Sequence, residues 1–171
     1  MKLRLWSPLA PLVLALAALV FGLDQTHKWW MISIYGIEGK APVQITSFFD
    51  LVMVWNRGVS YGLLTTHTQE LLIAMSLIIT VMLWIWACRM TKPLGAAALA
   101  MIIGGALANA LDRAVRGAVA DFFHFYYGNF SWYVFNLADV AIVAGVALLL
   151  YESLTDGASH DRRGKAGIRD H

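Results

Sequence analysis

The stretch at 104–139 reads GGALANALDRAVRGAVADFFHFYYGNFSWYVFNLAD. An apolar helix rich in small residues ends in this stretch, and an aromatic segment that carries Asp121 follows it. A second apolar helix then begins, with Asn136 and Asp139 in its first turns. An ionisable side chain inside membrane-type sequence is costly and marks a functional site by default. Asp121 and Asp139 are therefore the first candidates for chemistry.

The composition of the whole chain points to a membrane protein. Of its 171 residues, 59% are hydrophobic and 14% are charged, whereas a soluble domain carries about 25% charge. Four windows are long enough to span roughly 30 Å of hydrocarbon as helices, at approximately 6–23, 71–88, 94–111 and 134–151. The sequence predicts an all-α membrane protein, a four-transmembrane-helix bundle in a single domain over 1–155. The net charge of +2 is too small to suggest a nucleic-acid partner.

The first window has an alternative interpretation as a cleaved signal peptide, because two basic residues precede its apolar run. The run continues well past the small residues at 15–17, however, and leads into the aromatic pair Trp29 and Trp30. Tryptophans at this position are typical of a membrane interface. We therefore expect a retained transmembrane helix.

The basic residues predict the orientation of the four spans. Both termini and the connection between the second and third spans lie on one side. That side holds eight of the thirteen Lys and Arg residues, namely Lys2, Arg4, Arg89, Lys92, Arg162, Arg163, Lys165 and Arg169. The positive-inside rule assigns it as cytoplasmic. The tail at 156–171 lacks apolar periodicity and is predicted to be disordered and cytoplasmic.

Two connections lie on the opposite side of the predicted bundle. The first, at 31–70, has strand-like runs at 43–45 and 49–55 between glycines. The second, at 112–133, is rich in aromatic residues, which suits a segment at the membrane surface. We expect a small extracytoplasmic β-sheet and an interfacial aromatic loop.

The polar residues of the spans and outer loops converge on this outer face, and Asn136 and Asp139 share a helix face at i and i+3. Arg113 is a candidate partner for Asp139. The converging residues are Asp24, Lys28, Asn56, Asn109, Asp112, Arg113, Asp121, Asn136 and Asp139. Structural interpretations stay open for several of them. Asp24 and Lys28 form an i,i+4 pair, the charges at 112–113 suit interface anchors, and Asn56 precedes a glycine as in a turn.

Two carboxylates at a low-dielectric site cannot both ionise easily, so one serves as acid and the other as base. This pairing suits hydrolysis of a peptide bond without a covalent intermediate. The chain lacks the H-E-x-x-H and G-x-S-x-G motifs of zinc and serine hydrolases. A metal site built from Asp121, Asp139 and His124 is a less favoured alternative, and we predict neither a metal nor a cofactor.

The motifs of the chain resemble those of lipoprotein signal peptidases, the signal peptidase II family of bacterial intramembrane aspartyl proteases. The resemblance covers nearly the whole chain and rests on five motifs in order. They are DQTHK at 24–28, NRGVSYG at 56–62, GGALANALDR at 104–113, GAVADF at 117–122 and FNLAD at 135–139.

The resemblance implies an enzyme of the bacterial inner membrane that removes signal peptides from lipid-modified prolipoproteins. It would cleave just before a diacylglyceryl-modified cysteine, with its active site at the outer face and with membrane lipids as its surroundings. Asp121 and Asp139 would be catalytic. The residues that would bind substrate or order the site are Asn56, Gly58, Asn109, Arg113, Asn136, Asp24, Lys28 and Asp112. Two alternatives stay open at this point, a proton-coupled transporter and a non-enzymatic membrane scaffold.

Overall fold

A computed structural model describes the backbone of residues 5–58 and 68–166, and the side chains of 5–58 and 69–156. The elements in chain order are the helices and strands α1 (Ala10–Trp29), a π-helical turn (Trp30–Ile34), β1 (Val43–Thr46), β2 (Phe49–Asn56), α2 (Thr68–Ala87), α3 (Pro93–Arg116), β3 (Val119–Tyr127), β4 (Phe130–Ser131) and α4 (Leu137–Ala166). Within the described residues, four helices are long and apolar enough to cross a membrane. The predicted four-helix bundle with a small sheet is confirmed.

Helix α3 is the centre of the bundle, packing against α1, α2 and α4. Glycines permit two of these contacts. A Cβ atom on Gly104 would lie 2.5 Å from the backbone oxygen of Ala17 in α1, and one on Gly105 would lie 2.5 Å from that of Ala138 in α4. Small residues at membrane helix interfaces allow such close approach. These contacts hold α3 close to α1 and to α4, and all three helices carry candidate site residues.

The bounds of the spans differ from the sequence prediction at several ends. Helix α1 begins later, at Ala10 and with a proline in its first turn, which suits that position because proline lacks a donor. Helix α3 continues to Arg116 and ends at Gly117, whose φ of 72° forms a left-handed C-cap. Asp112 and Arg113 therefore lie within α3.

The four strands form one antiparallel sheet in the order β1-β2-β3-β4. The predicted strands at 43–45 and 49–55 are confirmed as β1 and β2. The prediction of an aromatic loop over 112–133 is wrong at 119–127, where these residues form strand β3 and pair with β2. Phe122 of this strand is fully buried with Met31, Ile37 and Ala120 in a core between the sheet and the end of α1.

The helix α4 also differs from prediction at both ends. It begins at Leu137 rather than near 134, so Asp139 lies in its first turn. It continues to Ala166, where a disordered tail was expected from 156, because extending an existing helix costs little per residue. Lys2, Arg4, residues 59–62 of the second motif and 167–171 lie outside the described residues.

Candidate active site

Asp121 lies on β3 between two irregularities of the sheet. The register between β2 and β3 shifts between Leu51 and Val54. On the other side, the Phe135 oxygen accepts hydrogen bonds from the amides of both Phe122 and Phe123. Bulges of this kind bend a strand and change the direction of its side chains. Asp121 and His124 are three residues apart, so a regular strand would direct them to opposite faces of the sheet. In this structure both side chains line one cavity.

The Asp121 carboxylate is 1% exposed and bound by two asparagine amides. Its Oδ1 accepts a hydrogen bond from Asn136 Nδ2 at 2.6 Å, and its Oδ2 accepts one from Asn56 Nδ2 at 3.0 Å. Burial raises the pKa of Asp121 to about 6, because it disfavours the charged form. The Asn56 hydrogen bond opposes this rise, and the charge of Asp139 adds to it. Asp121 is therefore suited to hold a proton close to neutral pH.

Asp139 is held at the start of α4 by a reciprocal cap. Its Oδ2 accepts a hydrogen bond from the Asn136 backbone amide at 3.2 Å, and its own amide donates to Asn136 Oδ1 at 3.0 Å. This exchange is the capping-box arrangement of a helix N-terminus. Asp139 Oδ1 accepts a further hydrogen bond from Asn109 Nδ2 at 2.9 Å. Asn109 of α3 thus replaces Arg113 as the side chain that directly binds Asp139.

A buried charge cluster lies behind the two aspartates. Lys28 Nζ lies 2.8 Å from Asp24 Oδ2 and 2.7 Å from Asp112 Oδ2, and all three residues are 0% exposed. The third contact of Lys28 is Asn109 Oδ1 at 3.2 Å. A buried charge is tolerated only when it is paired and hydrogen-bonded. This cluster therefore joins α1 to α3 at a fixed geometry.

Each buried carboxylate of the cluster also holds the residue that precedes a candidate catalytic aspartate. Asp24 Oδ1 accepts a hydrogen bond from the Ala138 amide at 2.9 Å, and Asp112 Oδ2 accepts one from the Ala120 amide at 3.3 Å. The backbones that carry Asp139 and Asp121 are thus fixed to one pair of carboxylates bridged by Lys28. The site-ordering role of Asp24, Lys28 and Asp112 stays a prediction, and these are the contacts through which it would act.

Asn56 and Gly58 form a turn beside the site. Asn56 Oδ1 accepts a hydrogen bond from the Gly58 amide at 2.8 Å, and Gly58 has a φ of 78°. A Cβ there would lie 2.7 Å from Leu72 Cδ1 and 3.7 Å from a terminal nitrogen of Arg113. Arg113 donates to the Asn109 oxygen at 3.3 Å. Arg113 therefore lies beneath the turn and close to the site.

Two members of the cluster were missed by sequence reasoning. Gln25 Nε2 donates to Asp112 Oδ1 at 3.1 Å and to the Ala108 oxygen at 3.2 Å. Arg116 lies 2.6 Å from the same Asp112 oxygen. The i,i+4 spacing of Asp112 and Arg116 was a readable signal. Nothing local to Gln25 indicates its contact with a helix more than eighty residues away.

An open cavity of about 1170 Å³ contains both aspartates. Asn56, Arg57 and Gly58 line one side, and the β3–β4 hairpin with the chain after it lines the other. Below Asp139, α4 contributes an apolar wall of Val140, Val143, Ala144 and Ala147. Within the described residues, no group of three or more His, Cys, Asp and Glu side chains is placed to hold a metal ion. The cavity has room for a peptide segment and a large apolar group.

Within the described residues, four helices that are long and apolar enough to cross a membrane and a cavity with two carboxylates indicate a multi-pass membrane protein with a candidate active site. A family model described as signal peptidase (SPase) II matches residues 16–155. The chain therefore belongs to the signal peptidase II family, which makes it a protease.

The relatives and solved structures agree with this assignment. The lipoprotein signal peptidase of Methylocella silvestris is 50% identical over 88% of this chain and 90% of its own. That of Beijerinckia indica is 49% identical over 81% of this chain and 85% of its own.

Two solved structures are described as bacterial membrane enzymes determined by the in meso method. The one at 2.3 Å resolution has a TM-score of 0.74 and 24% identity, covering 87% of this chain and 91% of its own. The one at 1.9 Å has a TM-score of 0.75 and 21% identity, covering 91% of this chain and 99% of its own. Their likeness concerns the fold.

Proposed function

We propose that the protein is an intramembrane aspartyl endopeptidase that removes signal peptides from lipid-modified prolipoproteins. Cleavage occurs just before the diacylglyceryl-modified cysteine. The family and the names of the relatives support the substrate class. The observation that carries the mechanism is the presence of Asp121 and Asp139 in one cavity, with Asn136 hydrogen-bonded to both.

In the proposed reaction the two carboxylates share one proton. The ionised Asp139 accepts a proton from water as the oxygen attacks the scissile carbonyl carbon. Asp121, with its pKa raised to about 6, donates a proton to the amide nitrogen as the carbon–nitrogen bond breaks. The products are a signal peptide with a new carboxylic acid group, which keeps the second hydrogen of the water, and a lipid-modified cysteine with a free amino group. The proton on Asp139 then returns to Asp121.

The position in the membrane is part of the proposal. Arg89 and Lys92 lie in the connection between α2 and α3, at the end of the bundle opposite the sheet. The positive-inside rule favours a cytoplasmic location for that end. The sheet and the active site then face outward from the bacterial inner membrane, where a secreted prolipoprotein presents its cleavage site. The transporter alternative needs polar groups through the full membrane depth, and no observation favours it or the scaffold.

The test is cleavage of a purified diacylglyceryl-modified prolipoprotein by the purified protein, with product masses measured. We expect one cut, immediately before the modified cysteine. The same prolipoprotein without its lipid is the matched control and should be cut poorly. No cleavage of the modified substrate, or a cut at another bond, would contradict the proposal.

A further inference from the structure

A second cavity, of about 430 Å³, lies on the sheet next to the active site. Aromatic side chains form its entire lining. They are Phe48, Phe125, Tyr126, Tyr127, Phe130, Trp132 and Phe135, and we call this cavity the aromatic groove. It is shaped by stacked rings, with Phe125 parallel to Phe48 and to Phe135 at centroid distances of 6.5 and 5.8 Å.

The chemistry of the aromatic groove selects an apolar ligand. Among the residues that the structure describes, no charged side chain lines it. The hydroxyl of Tyr126 is already engaged, because it donates to Asp50 Oδ1 and accepts from Gln44 Nε2, both at 3.1 Å. Ligand pockets are typically about 300–1,000 Å³. The groove therefore has room for a single hydrocarbon chain rather than for a whole lipid.

The aromatic groove adjoins the active-site cavity. Trp132 and Phe135 line both cavities and form the partition between them. On the active-site side of this partition, His124 Nε2 lies 2.7 Å from Ser131 Oγ. This polar pair can donate a hydrogen bond to an ester carbonyl, the group at the head of an acyl chain. When the ester carbonyl binds beside Trp132 and Phe135, the hydrocarbon chain attached to it lies next to the aromatic groove.

We propose that the aromatic groove binds one of the two acyl chains of the substrate's diacylglyceryl group. This inference rests on the proposed function. The second chain lies along Val140, Val143 and Ala147, which share one face of α4 at i, i+3 and i+7. The two chains of one lipid thus separate at the partition. Phe130 and Phe48 are 60% and 50% exposed, so their rings are accessible to such a chain.

The test compares matched lipopeptides that carry two acyl chains or one, in detergent micelles and in bilayers. Phe130→Ser and Phe48→Ser remove groove contacts, and both side chains are exposed enough for the fold to tolerate the change. Ile45→Ser is the matched control, because Ile45 is 52% exposed on the same sheet and lines neither cavity. We expect each groove variant to raise KM for the diacyl substrate about tenfold or more. The kcat for that substrate and the KM for the monoacyl substrate should stay at the wild-type values.

Three results would overturn the inference while leaving the proposed function intact. The first is an unchanged KM for the diacyl substrate in both groove variants. The second is an equal loss on both substrates. The third is a loss seen in bilayers but not in micelles, which would show that the groove rests on the bilayer surface. Failure of the wild-type protein to cut any lipopeptide would instead contradict the proposed function.

Discussion

The side-chain amide of Asn136 lies 2.6 Å from Asp121 Oδ1, and both residues are buried. The same amide donates to Asn109 Oδ1 at 3.2 Å. The backbone amide and the side-chain Oδ1 of Asn136 exchange hydrogen bonds with Asp139 and so cap α4. One asparagine therefore fixes the position of a strand carboxylate relative to a helix carboxylate. The geometry of the proposed dyad therefore depends on Asn136.

Replacing Asn136 with alanine should inactivate the enzyme without unfolding it. Misplacing a catalytic group by about 1 Å costs roughly 100-fold in rate, so kcat should fall by about that factor. Loss of the helix cap costs about 1 kcal/mol, which lowers the melting temperature modestly. Asn129→Ala, at the exposed tip of the β3–β4 hairpin, is the control. Activity of Asn136→Ala at the level of this control would contradict the proposed role.

Replacing Asn56 with alanine should change the pH dependence of cleavage. The Asn56 hydrogen bond lowers the pKa of Asp121, so its loss raises that pKa further. Activity that needs one proton on the dyad should then persist to higher pH, although turnover falls. The measurement is the pH profile of kcat/KM. A reduced rate with an unshifted alkaline limb would limit Asn56 to forming its turn with Gly58.

Replacing Lys28 with methionine should destabilise the protein strongly. The change leaves Asp24 and Asp112 buried without the cation that bridges them, and breaking a buried pair in this way costs about 3–5 kcal/mol. Lys92→Met is the matched control, because Lys92 pairs with Asp156 on the surface and is 53% exposed. An exposed pair contributes about 0–1 kcal/mol. Equal melting temperatures for the two variants would rule out the structural role of the cluster.

The stability of the protein should depend on pH through Asp121. Its pKa is raised from 3.8 to about 6 in the folded state, so the folded chain binds more protons than the unfolded chain between these values. The free energy of unfolding therefore falls as pH rises through this window, by roughly 1 to 3 kcal/mol. Asp121→Asn lacks this loss, so its melting temperature relative to wild type should increase from pH 4 to pH 7. A constant difference would show that Asp121 titrates normally.

The proposed orientation can be tested with single cysteines in a background where the buried Cys88 is replaced by serine. Ala41→Cys and Asn129→Cys, both exposed in the sheet region, should react with an impermeant thiol reagent added outside intact cells. Thr91→Cys, in the connection between α2 and α3, should react only after the membrane is opened. The reverse pattern would invert the topology.

The sequence predicts those parts of this fold that depend on local patterns. Long apolar windows predict the four spans, and β-branched and aromatic runs predict β1 and β2. The continuous aromatic content of β3 is typical of an interfacial loop, so the sequence alone does not predict this strand. Its pairing depends on β2, which lies more than sixty residues away.

The site is predictable to a similar extent. The cost of charge in apolar sequence predicts Asp121 and Asp139 as candidate catalytic residues, and motif resemblance predicts their companions. Partners could not be assigned, because the choice between Asn109 and Arg113 at Asp139 depends on the rotation of α3 about its axis. The contact between Gln25 and Asp112 depends on the packing of α1 against α3 in the same way.

The most direct test of the central claim is cleavage of a diacylglyceryl-modified prolipoprotein by purified Asp121→Asn and Asp139→Asn, each confirmed to be folded by its melting curve. Each substitution keeps the size of the side chain but removes its ability to exchange a proton. Neither variant should cleave the substrate, while wild type should cut it before the modified cysteine. Substantial cleavage by either folded variant would contradict the paired-aspartate mechanism.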